Sequence, residues 1–353
     1  MKQKIKESVI PAVKIFFSRY IIASLLVAVL IAFIIFDSSL LSLRNFRNIL
    51  SDSAPILLVA TAMALCLYAG YVNLSIGAIA TLAGILAGSF MQSEETVGRF
   101  FTDMPVFPIY AVISAITILF CGFGVLYGFL LKYEKLPSWF LTFAGASVLM
   151  SLARLYVYDS ETIVSELTGF TADFLHFGAG YIGSTPIYSV PITVLISILL
   201  VVGLRIGIGR LCVNICPSES IFSAESPAKK TVSTKERMII YALSCALCAV
   251  AGMMLAGREG IATTQIGAGL TIDAISICVI AGFSLFGAKG NFPALCITTF
   301  LYVAVIYLSN IIGYNQFVIS AIRGVLIIAT ALIDFKKIPK SQAESSDISA
   351  VNN

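Results

Sequence analysis

Ten apolar runs of helical length follow one another along the 353 residues, more apolar surface than one water-soluble core could absorb. They fall at 20–36, 54–68, 76–91, 106–131, 139–155, 190–204, 238–256, 272–286, 292–312 and 317–333. Most reach the roughly 17–25 residues that a bilayer requires, while the second, third and eighth are short or rich in glycine. Barrel strands would alternate polar and apolar residues over about ten positions, and these runs do not. With only 12% charged residues and a mean hydropathy of +0.96, the chain reads as an all-α polytopic membrane protein of about ten transmembrane helices.

Basic residues set the expected orientation, because lysine and arginine are retained on the cytoplasmic side. With ten spans both termini share a side. That side receives seventeen lysines and arginines, including Lys2, Lys135, Arg210, Lys229, Arg237 and Lys337. The opposite side receives Arg44, Arg47, Arg99, Arg154 and Arg258. Both termini are therefore expected in the cytoplasm, with residues 1–19 as an N-terminal segment, 20–335 as one transmembrane domain and 336–353 as a polar tail. The net charge of +4 reflects this asymmetry and requires no nucleic-acid partner, since the positive charges form no aromatic-interleaved patch. The basic start runs into a full-length apolar span with no small-residue cleavage site, so the first span is expected to be retained. None of the eight cysteines falls in an outer loop, so reduced thiols are expected.

Two extramembrane stretches stand out. The outer loop 156–189 carries Asp159, Glu161, Glu166 and Asp173 and has room for a short surface helix; the inner loop 205–237 is charged and longer than a simple turn needs. Neither could house a nucleotide-binding domain. Spans three and four carry Ala80, Gly84 and Gly88, then Gly124 and Gly128, at four-residue spacing. Small residues on one helix face let a second helix approach closely, so internal packing is expected there, with a border on a solute path as the sharper alternative.

Chemistry inside the spans is sparse. The single histidine, His176, lies in the outer loop, and the pairs Cys212/Cys216 and Cys245/Cys248 lack the further ligands a metal site needs. No cofactor is expected. No G-x-x-x-x-G-K-[ST] loop occurs, so any ATP must be bound by another subunit. Arg323 is close enough to its span end for its head to reach the interface. Asp273 stands where a helix start favours a carboxylate, in a capping or interhelical role. Asn73 and Ser75 flank a short polar break after the second run; together with Asp273 they are candidates for residues on a solute pathway.

An ordered set of motifs then carries a resemblance. Val72-Asn73-Leu74-Ser75-Ile76-Gly77-Ala78 comes first, followed by Leu136-Pro137-Ser138-Trp139-Phe140-Leu141-Thr142-Phe143 and Ile208-Gly209-Arg210. Tyr241-Ala242-Leu243-Ser244 leads to Ala251-Gly252, and Asp273-Ala274-Ile275 precedes Ser284-Leu285-Phe286-Gly287-Ala288-Lys289-Gly290. In this order the chain resembles the ribose-type permease subunit of bacterial ATP-binding-cassette sugar importers, over about residues 45–334. The resemblance implies an inner-membrane permease with no enzymatic activity of its own, moving a small polar solute, first a monosaccharide. It also implies two separate ATPase subunits, an extracytoplasmic substrate-binding protein and a second permease subunit, identical or not, all in membrane lipid.

By the same resemblance the inner loop holds a coupling segment that docks on the ATPase. Counting from Gly209-Arg210, it falls on residues 217–226, with Glu219, Ile221, Phe222, Glu225 and Ser226 as the contact candidates. Ser218 can cap a short helix there, and Ile221 and Phe222 offer apolar anchors. The chain departs from the family in carrying Asn73 where aspartate is usual and Ser226 where glycine is usual. Other polar solutes such as nucleosides are the nearest alternative. An ion-coupled secondary carrier would need an embedded carboxylate or an unwound helix for its ion.

Overall fold

The computed structural model of the protein describes residues 42–96, 99–132, 136–158, 166–179, 234–283 and 290–313, with isolated positions between 317 and 328. Eight helices are named here: α1 Leu43–Tyr68, α2 Ile76–Phe90, α3 Ile109–Leu130, α4 Ser138–Val157, α5 Ala172–Ala179, α6 Thr234–Glu259, α7 Leu270–Ile280 and α8 Phe292–Ile311. Two short strands, β1 Glu166–Leu167 and β2 Ala262–Thr263, pair antiparallel. Helices α1, α3, α4, α6 and α8 are long and apolar enough to cross a membrane; α2 and α7, at 15 and 11 residues, are shorter. The expected first and sixth spans, most of the last span and the coupling segment with Glu219, Ile221, Phe222, Glu225 and Ser226 lie outside the described residues.

Helix ends follow local chemistry where hydropathy is silent. α1 begins at Leu43, well before the apolar run, because Ser42 Oγ accepts the Asn45 amide at 3.3 Å and caps the first turn. It ends where Gly70 takes a left-handed φ of 78°, so that Gly70 N–H reaches Leu67 O and Tyr71 N–H reaches Cys66 O. α7 ends in the same way at Gly282, with φ 91° and bonds from Gly282 to Val279 O and from Phe283 to Cys278 O. The helix in the eighth run therefore ends at Ile280, and residues 281–283 do not continue it; the rest of the run lies outside the described residues.

Helix α6 is the centre of the packing. On one side it meets α3 so closely that a Cβ on Gly124 would fall 2.3 Å from Tyr241 O, and one on Gly128 2.4 Å from Met238 Cα. On another it meets α2, where a Cβ on Gly252 would fall 2.0 Å from Ala80 O and one on Gly84 2.9 Å from Gly252 O. The stripes of small residues in the third and fourth runs are thus used inside the chain. Arg258, near the end of α6, pairs with Asp52 and Ser51 of α1, and Asn48 of α1 donates to Tyr307 Oη of α8 at 2.7 Å. Much of α3 and α4 faces outward, with Tyr110, Ile118, Phe140 and Phe143 exposed.

Three loops close over the C-terminal ends of α2, α4 and α6. Ser93 N–H reaches Gly169 O, Thr171 N–H reaches Met91 O, and buried Gln92 donates to Thr168 O while accepting from Phe100 N–H at 2.7 Å. Phe100 stacks on Tyr156 with ring centroids 4.8 Å apart. α5, the short helix for which the outer loop had room, buries Phe174 and sets Gly178 against the backbone of Gly257 and Arg258.

Candidate functional site: a helix break gripped from three sides

Between α1 and α2 the chain leaves helical geometry for residues 69–75 yet stays inside the bundle, since Asn73 and Ser75 are both fully buried. A buried break exposes orphan amides and carbonyls that need partners. Asn73 supplies the first set: its Oδ1 accepts from Ser75 N–H at 3.1 Å and from Ser75 Oγ at 2.6 Å. Its Nδ2 donates across to α6, to Ser244 Oγ at 3.0 Å and to the Cys245 sulfur at 3.9 Å. An amide can do both because it carries acceptor and donor on one side chain.

Helix α4 grips the same segment from a second side. Leu74 N–H donates to Thr142 Oγ1 at 3.0 Å and Val72 N–H to Ser138 Oγ at 3.4 Å. The carbonyl of Val72 accepts from Tyr241 Oη of α6 at 3.2 Å, while Thr142 Oγ1, 3.3 Å from that carbonyl, has its one proton nearer to Ser138 O at 2.9 Å. Tyr241 is fully buried, its ring 6.0 Å from Tyr71 and 6.2 Å from Tyr127.

The third grip comes from the connection between α6 and α7. Gly77 N–H, in the first turn of α2, donates to Thr271 Oγ1 at 3.0 Å, and Gly267 N–H donates to Thr81 Oγ1 at 3.1 Å. The starts of two short helices therefore lie against each other. Their meeting requires glycine, because a Cβ on Gly267 would sit 2.0 Å from Gly77 O.

The structure hydrogen-bonds Ser75 to Asn73 and gives Asp273 a partner on α8. Asp273 occupies the first turn of α7, is 4% exposed, and accepts a 2.5 Å hydrogen bond from Tyr302 Oη of α8. Sequence reasoning missed Ser138, Thr142, Tyr241, Ser244, Thr271 and Tyr302. Four of these six stand inside the motifs quoted above, and the structure supplies what linear order could not: those motifs fold onto one break. Among the described residues no three side chains of histidine, cysteine, aspartate or glutamate come together as a metal site.

Comparison with known proteins gives the family. The family model described as branched-chain amino acid transport system / permease component matches residues 45–331, which covers the elements named above apart from the first two residues of α1. The chain belongs to this permease family. The galactose/methyl galactoside import permease of Haemophilus influenzae is 28% identical over 92% of this chain and 95% of its own length. Its Escherichia coli counterpart is 28% identical over 88% of this chain and 92% of its own length. The ribose import permease of Bacillus subtilis is 27% identical over 86% and 88%. No solved structure matches. As a permease component, the chain is a multi-pass membrane transport subunit, not an enzyme, and ATP hydrolysis belongs to a separate subunit.

Proposed function

We propose that this permease carries a monosaccharide inward, in a complex with a second permease subunit, ATPase subunits and an extracytoplasmic binding protein. The observation that carries the reading is the nearly end-to-end match to galactose and ribose import permeases, which leaves no large region of either chain unaccounted for. Both termini face the cytoplasm in this reading, and the segment with Glu219, Ile221, Phe222, Glu225 and Ser226 meets the ATPase. Asn73 and Ser75 act from behind the pathway: being buried and bonded to each other and to Ser244, they fix the shape of the break beside which solute passes. Asp273, held by Tyr302, fixes α7 against α8 in the same manner.

The test is uptake by the reconstituted complex in proteoliposomes, with radiolabelled galactose, ribose and leucine offered in parallel. Galactose or ribose uptake that requires ATP, the ATPase and the binding protein is the expected result. ATP-dependent uptake of leucine alone would move the solute to the class in the family's description. Accumulation of a sugar by the permease alone, driven by an ion gradient, would replace the importer reading with that of a secondary carrier.

A further inference from the structure

Helix α6 touches the unit formed by α4, the break and α2 in two different ways. That unit is tied at both ends: Ser138 and Thr142 hold residues 72 and 74, and Ser89 Oγ shares a 2.9 Å hydrogen bond with Tyr156 Oη far along α2 and α4. Along α2 itself, α6 comes closest where Gly252 and Ala256 meet Ala80 and Gly84. Among the described residues no side-chain hydrogen bond joins α2 to α6. Such a seam is held by close backbone approach and apolar packing, without polar side-chain ties along its length. Among the described residues the polar contacts between α6 and this unit gather at and beside the break: Tyr241 Oη to Val72 O, with the Ser138 hydroxyl next to it, and Asn73 Nδ2 to Ser244 and Cys245.

The start of α6 is anchored elsewhere. Arg237 donates to the carbonyl of Leu131, the residue that closes α3, and Met238 abuts Gly128. Displacement of the start of α6 is thus carried with α3, and meets the α4–α2 unit through the polar contacts at the break.

We propose that Tyr241 is a positioning residue for transport: its hydroxyl, held on the Val72 carbonyl, passes movement of the start of α6 to the helix break. Thr142 accepts from Leu74 N–H within the α4–α2 unit, so it secures the break without transmitting movement to it. The two hydroxyls hold neighbouring residues of the break and differ in role. The inference rests on the ATP-driven importer reading, because the movement it transmits begins with the ATPase.

The experiment compares Tyr241→Phe and Thr142→Val with the native permease in proteoliposomes containing the ATPase and the binding protein. It measures sugar moved per ATP hydrolysed, together with the melting temperature of the complex. Tyr241→Phe should lower the transport-to-ATP ratio about fivefold or more, the size of a typical coupling between sites. The ATPase rate should stay close to native, while Thr142→Val lowers the melting temperature and leaves the ratio within about twofold of native. An unchanged ratio in Tyr241→Phe, or an equal fall in both variants, overturns the proposal. Should Tyr241→Phe prevent assembly, Ser244→Ala, which weakens the neighbouring contact, is measured against the same two outcomes. A native complex that moves no sugar with ATP would instead sink the importer reading, an outcome separable from any difference between variants.

Discussion

Gly77 and Gly267 meet backbone to backbone: a Cβ on Gly77 would lie 2.5 Å from Gly267 O, and one on Gly267 2.0 Å from Gly77 O. Through this contact the first turn of α2 and the approach to α7 share the hydroxyls of Thr81 and Thr271. Gly267→Ala should therefore force the two segments apart and cost roughly 1–3 kcal/mol, as overpacking does elsewhere. Thermal unfolding of the purified permease in detergent should fall by several degrees. Gly122→Ala is the control, since nothing lies within 4 Å of its Cβ position, and there the melt should hold or rise slightly.

Gly70 is demanding for a different reason. Its Cβ position is open, yet its φ of 78° is one that other residues adopt with strain. Gly70→Ala should cost about 1–2 kcal/mol. Gly70→Asn should cost less, because asparagine tolerates the left-handed region. Equal melts for the two variants would show that the left-handed turn does not limit stability.

Removing the amide of Asn73 should strand the Ser75 N–H inside the bundle. Asn73→Ala is expected to lose about 1–3 kcal/mol, the cost of a buried donor without its acceptor. Ser75→Ala should lose less, since Asn73 would still accept from the backbone amide. A melt series of the two single variants and the double variant checks both the order and the coupling, which should be clearly non-additive.

Orientation and docking are tested from outside the described residues as well as within them. In a cysteine-free background, a membrane-impermeant maleimide added to intact cells should label a cysteine at Asp173 and spare one at Lys337. At the coupling segment, Phe222→Ala should weaken co-purification of the ATPase by roughly thirtyfold, equivalent to about 2 kcal/mol for a buried aromatic anchor. Unaltered co-purification with Phe222→Ala and Ile221→Ala would move the docking contact to residues 229–237.

Hydropathy made most of the helices legible and few of their ends. Runs 76–91 and 292–312 fall within one residue of α2 and α8, because helix and apolar run coincide there. α1 and α6 extend beyond their runs through polar turns whose side chains are occupied by other helices, as Asp52 is by Arg258, and such partners are invisible along the chain. The strings Cys66-Leu67-Tyr68-Ala69-Gly70 and Cys278-Val279-Ile280-Ala281-Gly282 each end a helix, whereas Cys248-Ala249-Val250-Ala251-Gly252 lies within α6. Local residues leave that choice open, and in α6 the backbone of Ala80, pressed against Gly252, accompanies the continued helix. Asn73 and Ser75 were readable as a break; the three helices that hold it were readable only as motifs in a row.

The seam of Ala80, Gly84, Gly252 and Ala256 also constrains how such a chain can drift. Where contact is made by main chain, an enlargement on one helix cannot be absorbed by a neighbouring side chain turning aside. A main-chain oxygen cannot be trimmed by substitution, so restoration must come at the enlarged position itself. After Gly84→Ala the added methyl would lie 2.9 Å from Gly252 O and 3.3 Å from the Ala256 methyl, and Ala256→Gly relieves only the second contact. Revertants selected for growth on the transported solute should therefore restore glycine at position 84.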